Sequence, residues 1–302
     1  MTQASSTLAP KLQGDFNATP SRNAFPNSAS EAAFDAPPAP RASGDGRSGE
    51  AALRLDIRTY LDREQGHFRL YMRDYGDGLA EIGWSFVSNR KTNKASKGAS
   101  ENSDDHKDRA ARRARSRLRQ LTLAAGCDHL VTLTYRKNVT DYSQSSNDLS
   151  RFIRKVRRRF PDWVFVAVPE KQKRGAWHWH LAVIGRQDVG FLREAWRSVV
   201  GEGNIDVKPP PKKGRKHRRM GIVAYLSKYL AKTFSEECRE LNVHRYRSSQ
   251  GIRIPIQPVA VPAEARANIS AYAIEQLRQL TGDVSFVWVD ESGMAGWACC
   301  WE

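Results

Sequence analysis

Two groups of side chains in this sequence have the types and spacing of a reactive centre. The first is Trp177-His178-Trp179-His180, in a run, AWHWHLAVIG, that reads as a β-strand. Side chains alternate across a pleat, so His178 and His180 share one face while Trp177, Trp179 and Leu181 point to the other. Two imidazoles converging from one strand suit a single divalent cation. If Lys173, Arg174 and Gly175 make a tight turn, Glu170 on the preceding strand falls near His178 on the same face and offers a carboxylate as a third ligand. The second group is Tyr225-Leu226-Ser227-Lys228-Tyr229, followed by Leu230-Ala231-Lys232. In a helix the two tyrosines are neighbours bordered by Lys228 and Lys232, while Ile222, Leu226 and Leu230 form a separate apolar stripe. A phenol with a pKa of about 10 is a weak nucleophile at neutral pH, and nearby ammonium groups or a metal would favour the phenolate.

Taken singly, each group has an ordinary reading: two half-exposed histidines in a strand, or a structural aromatic pair beside lysines. Together they describe tyrosine attack on a phosphodiester. His178, His180 and Glu170 would hold a cation against the scissile phosphate, and the products would be a tyrosyl-phosphate and a free 3′ hydroxyl able to reverse the step.

The elements that must position these groups follow a regular order. HLVTLTY (129–135) reads as a strand, SSNDLSRFIRKVRRRF (145–160) as an amphipathic helix and WVFVAVPE (163–170) as a strand. The histidine strand spans 176–185, a helix 189–200 and a short strand 203–209, before the tyrosine helix at 220–234. The order β-α-β-β-α-β-α predicts an α+β fold. Its first six elements match the split βαββαβ (ferredoxin/RRM-like) unit, an antiparallel sheet with helices on one face and the other face open for chemistry.

Around this core, residues 1–50 hold six of the fourteen prolines and few large apolar side chains, and are expected to be a disordered tail. Residues 51–106 read as a hairpin closed around Gly76-Asp77-Gly78, then a polar loop, and 107–125 as a basic helix. The core is expected over 107–250. A helix and strand over 251–302 are expected to finish the same domain.

Of 302 residues, 49 are Lys or Arg and 33 Asp or Glu, a net charge of +16 at a pI near 9.9, which favours a polyanionic partner. The first fifty residues contribute −1, so the basic charge belongs to the rest. Between Lys208 and Arg219 seven of twelve residues are basic and none is acidic. Lys208, Lys212, Lys213, Arg215, Lys216, Arg218 and Arg219 read as an extended arm, held open by Pro209-Pro210-Pro211, that neutralises phosphates without reading bases. No run is apolar enough for a membrane span. The four cysteines lack zinc-knuckle or disulfide-scaffold spacing and the amino terminus lacks a signal-peptide pattern, so a reducing bacterial cytoplasm is the expected compartment.

Three motifs resemble the HUH endonuclease superfamily, and within it the two-tyrosine rolling-circle replication initiators of phages and plasmids. Leu130-Val131-Thr132-Leu133-Thr134 is similar to the first motif, Trp177-His178-Trp179-His180 to the HUH motif and Tyr225 to Lys232 to the YxxKYxxK helix. The resemblance covers about residues 107–250. It implies a nickase using Mg²⁺ or Mn²⁺, with His178 and His180 as ligands, Tyr225 and Tyr229 as alternating nucleophiles, and Lys228 and Lys232 as DNA phosphate contacts. It departs from the motif in the bulky Trp179. No Walker A pattern occurs, so unwinding would fall to a host helicase working with a host polymerase. A single-strand transposase or a relaxase shares this chemistry, though relaxases carry the tyrosine before the histidines. A non-enzymatic RRM-like nucleic-acid-binding protein is the alternative outside it.

Overall fold

A computed structural model describes residues 66–89, 103–208, 214–234 and 244–301, with the backbone alone for 103–109 and 215; these residues all fall within one compact unit. The expected tail at 1–50, the loop at 90–102 and part of the basic arm, including Lys212 and Lys213, lie outside the described residues. The order is β1 (Gly66–Asp74), β2 (Ala80–Ser88), α1 (Ser103–Ala124), β3 (His129–Tyr135), α2 (Tyr142–Arg159), β4 (Phe165–Lys171), β5 (Trp177–Val183), α3 (Val189–Val200), β6 (Gly203–Lys208), α4 (Arg215–Lys232), β7 (Arg247–Ser248), β8 (Gln257–Val259), a 3₁₀ turn (Ala263–Asn268), α5 (Ile269–Thr281), β9 (Phe286–Val289) and β10 (Ala295–Cys300).

The central sheet has the order β6-β3-β5-β4-β7, antiparallel throughout. Its first four strands are those of a split βαββαβ unit. Helix α2 starts where Asp141 accepts from the backbone N–H of Ser143 and Gln144, and ends on Arg157, Arg158 and Arg159, charges that suit a carboxyl terminus. Asp188 caps α3 in the same way. Both helices pack on the face presenting Val131, Leu133, Trp179 and Leu181.

The opposite face, expected to be open, is covered. Leu118 and Leu121 of α1 and Ile222, Leu226 and Leu230 of α4 close over Val166, Val168 and Ala182. The sheet is apolar on both sides at these positions, so leaving either bare would cost roughly 25 cal/mol per Å². The tyrosine helix therefore lies across the face bearing the histidines.

The C-terminal segment does not extend the central sheet. Strands β9 and β10 join the N-terminal hairpin in a second antiparallel sheet, β8-β1-β2-β10-β9, with α5 packed on Phe68, Leu70, Met72, Ile82 and Trp84. The hairpin turns through Gly76, Asp77 and Gly78, all at positive φ, which glycine allows at little cost. Cys299 and Cys300, for which the sequence offers no role, are buried in β10.

One carboxylate ties this second sheet to the helices beneath it. Glu81 is fully buried and accepts from Tyr75 Oη (2.9 Å), Arg119 Nε (3.1 Å), Gln120 Nε2 (3.2 Å) and Trp297 Nε1 (3.1 Å), with Arg73 3.6 Å away. Burial alone would raise its pKa, but Arg119 and Arg73 hold it below the ordinary carboxylate value. Glu81→Ala strands two guanidiniums and a phenol, and is expected to cost about 3 kcal/mol by urea denaturation. An unchanged midpoint would show that the network contributes nothing.

Candidate active site

Strands β4 and β5 pair without a bulge, so Glu170 stands directly opposite His178, and Val168 opposite His180. On the other side of β5, Thr132 and Thr134 of β3 stand opposite His180 and His178. These residues share one face of the sheet. Helix α4 brings the tyrosines to it: the His180 ring stacks on Tyr229 with centroids 3.8 Å apart and meets Tyr225 edge-on at 5.5 Å. The Tyr229 hydroxyl donates to that of Tyr225 at 3.3 Å. Both imidazoles and both phenols, some forty-five residues apart in the chain, thus form one cluster.

Its electrostatics centre on Glu170. Oε2 lies 2.7 Å from His180 Nε2, and Oε1 accepts from Lys232 Nζ at 2.6 Å. Burial would raise this carboxyl, but the bonds to His180 and Lys232 hold it below its ordinary value. The Lys232 ammonium also lies 5.0 Å over the Tyr229 ring. His180 Nδ1 is 3.3 Å from Thr132 Oγ1. Burial and the neighbouring His180 push His178 down to about 4, so it is neutral at physiological pH.

The expectation that lysines favour the phenolate fails for Tyr225. Burial first, then the hydrogen bond and charge of Tyr229, raise its pKa well above the ordinary value. The ammonium that acts to lower it belongs to Lys208, at the end of β6, while Lys228 is exposed. Thr132 and Gln172 are site residues that sequence reasoning left unassigned. Alternation along LVTLT puts Thr132 on the histidine face, so that signal was present; Gln172 is placed by the turn geometry.

Among the described residues no group of three or more His, Cys, Asp or Glu side chains is arranged to hold a metal ion. The reason is visible in the pairing: Glu170 is satisfied by His180 and Lys232. One donor is left over. His178 Nδ1 is 3.2 Å from Gln172 Nε2, but Nε2 is buried and has no hydrogen-bond partner. A buried orphan imidazole nitrogen opposite a carboxylate has the donor chemistry for a divalent cation, so the residue types fit one. The Lys232 side chain, half exposed, has room to leave Glu170.

The residues read as a DNA-binding arm divide. Helix α4 begins at Arg215, five residues earlier than expected, so the arm's last residues are helical. Lys216 is part-buried, with Nζ 3.9 Å from Cys300 Sγ, and the Arg218 Nε is buried without a partner. Arg219 is withdrawn from DNA altogether. It is 3% exposed, and its guanidinium donates to Tyr75 O, Asp77 Oδ2 and Leu123 O, pinning α4 to the β1–β2 turn and to α1. No helix among the described residues is long and apolar enough to cross a membrane.

An unpaired buried polar atom costs about 1–3 kcal/mol, so His178 is expensive to keep for packing alone. His178→Phe is expected to match or exceed wild-type stability at neutral pH in the presence of a chelator. A base that resists protonation when folded contributes stability that is lost as pH falls from its unfolded value through its folded one. The variant should therefore gain on wild type between pH 6.5 and about 4. Denaturant titrations at several pH values check both points; a variant more than about 1 kcal/mol less stable at neutral pH would make His178 a structural residue.

Residues 128–234 match a family model of replication-associated proteins, that of Replication-associated protein ORF2, over roughly a third of the chain, running from the residue before β3 to just past the end of α4. Neither a curated protein nor a solved structure matches. The matched span encloses Glu170, His178, His180, Tyr225 and Tyr229, and supports a role in DNA replication.

Proposed function

We propose that the chain is a replication-initiating endonuclease that cuts single-stranded or origin DNA by tyrosine attack. The observation that carries this reading is His180, stacked on Tyr229 and edge-on to Tyr225 while hydrogen-bonded to Glu170. A structural aromatic pair has no need of a carboxylate and a second, unsatisfied imidazole within the same pocket.

In the proposed step a phenol oxygen of Tyr225 or Tyr229 bonds to phosphorus while the bond to the 3′ oxygen breaks. The proton the phenol loses balances the one the 3′ oxygen gains. His178, His180 and Glu170 would hold Mg²⁺ or Mn²⁺, which supplies a positive charge at the phosphate. Thr132 and Gln172 orient the two imidazoles. Lys232, once off Glu170, and Lys228 and Lys208 at the rim offer ammonium groups to the phosphodiester. Because each phenol raises the cost of ionising the other, one acts at a time. That suits a cycle in which one tyrosine holds the 5′ end while the other cuts again, with a host helicase and polymerase extending the freed 3′ end.

The test is to incubate the full chain and Mn²⁺ with a pool of single-stranded and hairpin oligonucleotides, then analyse covalent products by peptide mass spectrometry. A nucleotide is expected on Tyr225 or Tyr229. Tyr225→Phe with Tyr229→Phe should abolish the adduct and leave DNA retention on a gel, and an adduct that persists in that variant rejects the assignment. His180→Ala should slow cutting on the order of a hundredfold and raise the cation concentration needed. Cutting by wild type that is indifferent to chelation and added cation would reject the ligand assignment.

A further inference from the structure

The second sheet has a face that the proposed chemistry does not use. Its α5 side is a closed core, but the other side is covered only at one end, where Glu81 and Cys299 meet α1 and α4. Beyond that end, register places Pro258, Tyr71, Gly83, Trp297 and Trp288 directly opposite one another across all five strands. Side chains at such positions share a face. The row is half-buried or exposed throughout, and a Cβ added at Gly83 would meet nothing nearer than Gly296 O at 3.8 Å. No described protein atom therefore lies over the centre of the row.

The rings differ in how they are held. Trp297 is fixed by its bond to Glu81 and by the Arg119 guanidinium 4.3 Å above it. Tyr71 and Trp288 make no hydrogen bond or ring contact among the described residues. They stand three strand spacings apart, about 14 Å, with the glycine between them leaving a trough. At the Tyr71 end an open pocket of about 320 Å³ is lined by His67, Arg69, Tyr71, Pro258 and Arg266.

The charge is positive. Arg69 and Arg73 flank Tyr71 on β1, and the one carboxylate in the adjoining strand rows, Glu81, is buried and paired. Asp290, beyond the row's end, is turned into the β9–β10 turn, accepting from Ala295 N and Ser292 Oγ. Half-exposed flat rings at strand spacing, with arginines beside them and no base-specific donors, have the chemistry of a stacking platform for unpaired bases.

We infer that this face binds single-stranded DNA, with bases stacked on Tyr71 and Trp288 and phosphates seated by Arg69 and Arg266. It would hold the strand outside the cutting centre. Preference for DNA rests on the nicking reading above; stacking itself does not.

The test uses the full chain carrying Tyr225→Phe and Tyr229→Phe, in chelator, so that binding is read without cutting. Fluorescence anisotropy follows a labelled oligothymidylate of about fifteen nucleotides. Adding Tyr71→Ala with Trp288→Ala should weaken binding at least tenfold, while Tyr71→Phe with Trp288→Phe stays near the parent. Arg69→Ala should reduce the salt dependence by about one unit of slope. Equal binding by the alanine pair, or equal weakening by the alanine and phenylalanine pairs, would overturn the platform. So would a parent that prefers duplex DNA or RNA of the same length, or a parent dimer that falls apart in the alanine pair. Failure to form a tyrosyl adduct in the separate cutting assay would sink the nicking reading and leave this binding result standing.

Discussion

The candidate site depends on the phase of one helix. Ile222, Leu226 and Leu230 lie four residues apart on α4, are 4%, 0% and 0% exposed, and dock on the valines and alanine of the central sheet. Tyr225 and Tyr229 each precede a leucine of that stripe by one residue, about 100° around the helix. They therefore fall at the margin of the buried strip, close enough to reach His180 and far enough round to stay partly accessible. Burying each leucine stabilises the docking by about 1.5–3 kcal/mol, so the hydrophobic stripe holds the phenols where their own polarity would not. A helix rotated by one residue would bury a tyrosine under the sheet or turn both to solvent.

The two buried carboxylates show how differently the chain treats structure and chemistry. Glu81 is wholly enclosed and met by donors from β1, α1 and β10, so nothing about it is left over. Glu170 is partly accessible and shares its oxygens between a buried histidine and a half-exposed lysine, a pairing that a new ligand can displace. The orphan Nε2 of His178, directly across from it, sharpens the contrast. Satisfied burial makes a joint; partly satisfied burial marks a place kept ready for something else.

Arg219 shows where reading composition alone goes astray. In the sequence it is the last of seven basic residues in a twelve-residue stretch, indistinguishable from its neighbours. In the fold it is a buried pin whose partners lie 96, 142 and 144 residues away. Charge density says that a segment suits polyanions, but which arginine faces solvent is decided by backbone carbonyls elsewhere in the chain. The second sheet was hidden for a similar reason. AGWACC has no clear alternation and small side chains, and its partner β2 precedes it by more than two hundred residues. No local pattern encodes such a pairing.

What the amino-acid order settles unaided is what depends on near neighbours: the glycine turn of the hairpin, the histidines on one face of their strand, the tyrosines adjacent on their helix, and the βαββαβ succession. Pleat and helix periods are local geometry, so they can be read along the chain. Tertiary structure alone decided that the helix lies over the histidine face, that Lys232 neutralises Glu170, that Tyr225 is surrounded by groups that keep it protonated, and that the two chain ends close a second sheet. Each of these is a contact across a long loop, selected by which apolar surfaces must be covered and which buried charges must be met, and those balances exist only once the whole chain is folded.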